Sequence, residues 1–131
     1  MLGRLDVAEQ RLEAARHKSA NEPLLVSLHG MLHARRQRRD DALACVRQAL
    51  DLPLSLGHAH HTYYQVACVH AMLGDTDKAF AWLERSADTG NPCWPFFRVD
   101  PHLDSLRSHE RFQQLVSRLE RESMAIPIRS F

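Results

Sequence analysis

The chain has 131 residues, of which 44% are hydrophobic and 25% charged, and its net charge is +1. That length suits a single domain able to bury a stable core, and the near-zero charge gives no overall field toward nucleic acid or a membrane surface. The apolar runs fall far short of a membrane span. Three cysteines without disulfide or zinc-knuckle spacing point to reduced thiols and a cytoplasmic protein with no secretory leader.

Residues 4–18 read as a helix with Leu5, Ala8, Leu12 and Ala15 on one face. Asn21-Glu22-Pro23 opens the next, with Asn21 as the cap and Pro23 in the first turn. Its stripe is Leu24, Leu25, Leu28, Met31 and Leu32, with Gly30 at a close-packing position. After the basic turn Arg35–Arg39, Asp40 or Asp41 is expected to cap a helix running to about Leu52, with Ala42, Leu43, Val46, Ala49 and Leu50 inward.

The stretch Tyr63–Asn91 reads as two helices around Gly74. Val66, Ala67, Val69, His70 and Leu73 line the first, and Ala79, Phe80, Leu83 and Ala87 the second. Asp75, Thr76 or Asp77 is the expected cap, and Thr89-Gly90-Asn91-Pro92 the stop. Beyond it, Trp94, Phe96 and Phe97 read as an irregular aromatic plug, met by Trp82. Asp100–Arg107 reads as a short helix or turn with Asp100 and Asp104 as caps. Ser108 is expected to cap a last helix carrying Phe112, Leu115, Val116 and Leu119.

The helix pattern repeats. Asp40-Asp41-Ala42-Leu43-x-x-Val46-x-x-Ala49 matches Asp77-Lys78-Ala79-Phe80-x-x-Leu83-x-x-Ser86, and Leu5-Asp6-Val7-Ala8-x-x-x-Leu12-x-x-Ala15 matches both. Ala8 and Ala42 are 34 residues apart and Ala42 and Ala79 are 37 apart, an insertion that Pro53–Gly57 can hold. Tyr63, Val66, Ala67, His70, Gly74, Ala79, Leu83 and Ser86 occupy the marker positions of a tetratricopeptide repeat (TPR), which this stretch resembles. His70 stands where the family has Tyr, and Pro92 comes one residue late.

The resemblance implies an all-α fold: a right-handed superhelix of helix hairpins, a TPR-like solenoid, with a C-terminal capping helix. Its divisions are 1–20 (second helix of a truncated repeat), 21–56 and 57–92 (hairpins), 93–107 (aromatic capping segment) and 108–131 (terminal helix and tail). Residues 58–121, with the run DPHLDSLRSHERFQQLVSRL, resemble the segment that closes TPR arrays in bacterial signalling kinases, nucleotide cyclases and transcription regulators. The chain is therefore expected to be the C-terminal part of a larger signalling or regulatory protein. Helix 4–18 then lacks its partner, and its uncovered face is expected to form a homodimer.

No nucleophile motif, phosphate-binding Gly-rich loop or kinase set is present, so no enzyme and no cofactor are expected. His29 and His33 are four apart, and Cys68 or His70 could complete a zinc site. The favoured reading is no metal: His29 and His33 pack with one hydrogen bond each, and His58, His60 and His61 form a solvated helix start. Arg35, Arg36, Arg38 and Arg39 could grip phosphates, but Asp40 and Asp41 adjoin them, so nucleic acid is not the expected partner.

Recognition of a protein or peptide segment is the leading expectation, with a purely structural or oligomerising cap as the alternative. The resemblance puts the first helix of each hairpin along a concave groove. Its lining would be Leu24, Ser27, Met31, Ala34 and Arg35, then His61, Tyr64, Cys68 and Met72. Ser27, Met31, His61 and Gln65 replace the Lys, Asn and Arg clamp of the family's chaperone-tail binders, so chaperone C-termini are not expected ligands.

Overall fold

The computed structural model describes residues 2–54, 59–90 and 94–125. These form α1 (Leu2–Lys18), α2 (Pro23–Arg35), α3 (Arg39–Asp51), α4 (Ala59–Leu73), α5 (Thr76–Asp88) and α6 (Glu110–Ala125), with 3-10 helices at Trp94–Arg98 and Pro101–Leu106. The fold is all-α, with no strand among the described residues. No helix there is long and apolar enough to cross a membrane.

Helices α2 and α3 form one hairpin and α4 and α5 a second, and α2 lies on α4. Helix α1 packs on α2, while α6 and the 3-10 helices close the other end against α4 and α5. Residues 37 apart are buried in pairs: Gly30 and Ala67, Ala42 and Ala79, Val46 and Leu83, Ala49 and Ser86. The small members set the helix spacing. A Cβ on Gly30 would stand 3.1 Å from Cys45 Cβ and 3.4 Å from the Ala42 carbonyl. Gly74 turns the second hairpin at φ +82°, a conformation that glycine adopts without a Cβ clash.

Helix starts depart from the expected caps. Glu22, not Asn21, flanks α2 and provides no side-chain cap. Helix α3 begins at Arg39 with Arg38 flanking it, so Asp40 and Asp41 lie inside its first turn. Asp75 does flank α5, but its carboxylate goes to the Arg39 guanidinium at 2.9 Å and to His70 Nδ1 at 3.3 Å instead of capping. The N–H groups of Phe112 and Gln113 bond the His109 carbonyl, which makes His109 the residue flanking α6 in place of Ser108. Asp100 caps the Pro101–Leu106 helix as expected, accepting from the His102 backbone N–H at 2.9 Å. Asp104 pairs with Arg107 instead.

The aromatic segment divides in three. Phe97 is fully buried, Trp94 is half-buried against the core and Phe96 is 65% exposed. The aromatic partner of Trp82 is Tyr63, with centroids 5.5 Å apart, and Arg85 lies over both rings. Residues 55–57 of the proposed insertion, His58, and Asn91, Pro92 and Cys93 lie outside the described residues.

His70 is only 4% exposed. Burial lowers its pKa below the usual 6.5, against the opposing pull of Asp75, with Lys78 and Arg39 adding to the lowering. The unfolded chain therefore takes up a proton before the native one does, and stability falls as pH drops below about 6.5. Replacing His70 with Phe should flatten urea-denaturation stability between about pH 6.5 and pH 5. Equal slopes for both proteins would contradict this origin.

Candidate partner-binding groove

The α4 half of the expected groove is filled by the chain itself. The Tyr64 ring stacks on Phe97 at 5.4 Å and 11°, and its hydroxyl donates to Asp100. Cys68 is fully buried, Met72 packs against the core, and the Ser105 hydroxyl donates to the Ala71 carbonyl at 3.0 Å. The returning segment 94–106 thus covers the surface that Tyr64, Cys68 and Met72 were expected to offer. His61 sits apart, its ring 4.1 Å from that of His60. His60 is 8% exposed, so this helix start is not simply solvated.

On α2, Ser27 and Ala34 are also fully buried. The Ser27 side chain is held by Gln65 of α4 and the Leu24 carbonyl. Leu24 lies away from the remaining opening, beside Pro53 and Thr62. Met31 and Arg35 are the two expected groove residues that line an open concavity. It has a volume of about 260 Å³ and lies between α1, α2 and the Pro101–Leu106 helix. Leu5, Ala8, Leu12, Leu28 and Leu32 complete its apolar wall, and His102 joins Arg35 as its polar lining.

A chain of hydrogen bonds places His102 there. Asp100 accepts from the Tyr64 hydroxyl, from the His102 backbone N–H and from His102 Nδ1 at 2.7 Å. Burial opposes the charge on Asp100, yet the bonds from Tyr64 and His102 prevail and hold its pKa below the usual carboxylate range. Burial, followed by the neighbouring Cys68 and Asp100, pushes the Tyr64 phenol up. Burial and then Asp100 do the same to the Cys68 thiol. Neither group is ionised at neutral pH, so this cluster positions a side chain and presents no thiolate or phenolate nucleophile.

The arginine run is largely occupied. Arg36 pairs with Asp6 and Glu9 of α1, Arg38 with Glu9 at 3.1 Å, and Arg39 with Asp75. Arg35 alone of the four has no ion pair among the described residues. Arg35 is instead among the residues lining the concavity.

The lining contributed by α1 was legible as an uncovered apolar stripe. The part played by His102 was not, because it depends on how residues 94–106 fold back over α4. Comparison with known protein families, with curated proteins and with solved structures yields no match to this chain.

Proposed function

We propose that the chain is a TPR-like module that recognises a segment of another protein, without catalysis, as part of a larger signalling or regulatory protein. The observation that carries this reading is the open apolar concavity lined by Arg35, which has no ion pair among the described residues. The hairpin reading is supported by the buried 37-residue pairs and by the stacking of α2 on α4.

At about 260 Å³ the concavity is below the usual range of small-molecule sites, roughly 300–1,000 Å³. It suits one or two anchoring side chains. Burying one large apolar side chain contributes about 1.5–3 kcal/mol. A carboxylate on the same segment would pair with Arg35. Rigid helices hold the walls in advance, which reduces the ordering cost of binding. The favoured ligand is therefore an amphipathic segment with a bulky apolar residue and a nearby Asp or Glu.

Selection from a displayed peptide library tests this. Enriched peptides should share that apolar–acidic pattern. Leu28, 41% exposed, is the suitable probe, whereas Met31 also packs against both main parts of the core. Leu28→Arg should weaken binding at least about tenfold while leaving the melting temperature nearly unchanged. Equal binding by the variant, or no enrichment, would reject the site.

A second reading has its own observation. Val7 is 48% exposed and Ala8 is open on α1, an apolar face that a second copy could cover. Light scattering over a hundredfold concentration range distinguishes the two. Concentration-dependent dimerisation abolished by Val7→Glu would favour the oligomerising cap.

A further inference from the structure

Two buried imidazole nitrogens, His29 Nε2 and His33 Nδ1, have no hydrogen-bond partner among the described residues. Buried polar atoms are paired in the great majority of cases, so two neighbouring orphans require a cause. His29 makes the one expected hydrogen bond, through Nδ1 to Arg16 at 2.7 Å, but that bond leaves its Nε2 and the His33 Nδ1 unaccounted for. Both residues lie on α2, one turn apart, with their rings stacked at 4.5 Å. Across the hairpin, α3 brings up buried Cys45, where the sequence had suggested Cys68 or His70. A ring nitrogen of each histidine and the Cys45 sulfur all lie within 4.8 Å of one another. Gly30 permits this approach, since even a methyl group there would crowd Cys45.

We propose that His29, His33 and Cys45 bind a zinc ion that staples α2 to α3. Two imidazoles and a thiolate suit zinc, with water as the fourth ligand. Zn–N bonds of about 2.0–2.1 Å and a Zn–S bond of about 2.3 Å require donor separations of about 3.3–3.6 Å. The rings reach that by turning about χ2, a broad torsion. On binding, the Cys45 thiol releases its proton to solvent.

Arg16 restrains the site. Its guanidinium contacts His29 Nδ1 at 2.7 Å, and having no acceptor it must be the donor. Zinc at Nε2 requires the ring proton to move to Nδ1 and Arg16 to withdraw. Glu9 and Glu13 of α1 have carboxylate oxygens grouped with a His29 ring nitrogen within 4.8 Å, so carboxylate acceptors stand beside this ring, Glu13 being the one not already paired with Arg36 or Arg38. Such a carboxylate–histidine–zinc arrangement orients the ligand ring. The guanidinium charge also opposes a dication, so removing it strengthens binding. The other compact group, Cys68, Asp100 and His102, differs because Asp100 is already satisfied by Tyr64 and His102.

Cobalt(II) titration of the chelator-treated full chain tests the site. A thiolate-to-cobalt charge-transfer band should saturate at one equivalent and be displaced by zinc. Cys45→Ala should abolish the band, with circular dichroism confirming the fold and Cys45→Ser as a replacement if the alanine variant does not fold. His33→Gln should weaken affinity at least about tenfold, and Arg16→Gln should tighten it about tenfold, the scale on which partners of ligating histidines act. Zinc should raise the melting temperature of the parent and not of the Cys45 variant. Absence of a band from the folded parent overturns the proposal. So does a band that survives loss of Cys45, which would place the metal on another thiol.

Discussion

Replacing Phe97 with Ala is expected to destabilise the protein by about 3–5 kcal/mol, the range for a large aromatic lost from a core. Phe97 is fully buried, stacks on Tyr64 and belongs to the cluster formed by α4, α5, the Pro101–Leu106 helix and α6. Its segment is also fastened from outside. The Arg107 guanidinium donates to the Arg98 and Asp100 carbonyls, each at 2.6 Å, so the backbone cannot easily collapse into the space left behind. The adjacent ring gives the control. Phe96 is 65% exposed, and Phe96→Ala should change stability by less than about 0.5 kcal/mol. Half-buried Trp94 should fall between them, at about 1–3 kcal/mol. Urea denaturation that gave Phe97→Ala and Phe96→Ala similar costs would contradict this packing.

A side chain at Gly30 should be nearly as damaging. Its Cβ would lie 3.1 Å from Cys45 Cβ, 3.4 Å from the Ala42 carbonyl and 3.5 Å from Val69 Cγ2. Two of these three atoms are a backbone oxygen and a Cβ, which cannot rotate away. Gly30→Leu is therefore expected to cost about 3 kcal/mol through forced separation of α2 from α3. Gly30→Ala should cost less, because only a methyl group enters the contact and the gain of about 1 kcal/mol in helix propensity over glycine offsets part of the crowding. Thermal or urea denaturation of both variants checks the order. A stabilised Gly30→Leu protein would mean that the hairpin is not closely packed there.

The hairpins were legible because their small residues recur in register: Ala42 with Ala79 and Gly30 with Ala67, all buried at the contacts. The helix starts were not. Acidic side chains that could cap locally bind distant cations instead, as Asp75 does with Arg39, and local pattern carries no record of that competition. The concavity was half legible. Apolar spacing on α1 marked an uncovered face, and Met31 and Arg35 of α2 line the opening beside it. Covering of Tyr64 and Cys68 follows from residues 94–106 folding back, a contact some 36 residues distant along the chain for Tyr64 and Asp100. The partner of His29 and His33 was missed for a similar reason. Nothing in the local pattern marks Cys45, and only the hairpin brings its sulfur within 4.8 Å of a ring nitrogen of each histidine.

Amide chemical-shift mapping during titration with a library-selected segment locates the binding surface. The largest shifts should fall on residues 5–12 of α1, 28–35 of α2 and the Pro101–Leu106 helix, the elements lining the concavity, and Leu28→Arg should remove them. Shifts centred on the outer faces of α5 and α6, or shifts that persist in Leu28→Arg, would contradict binding at the concavity.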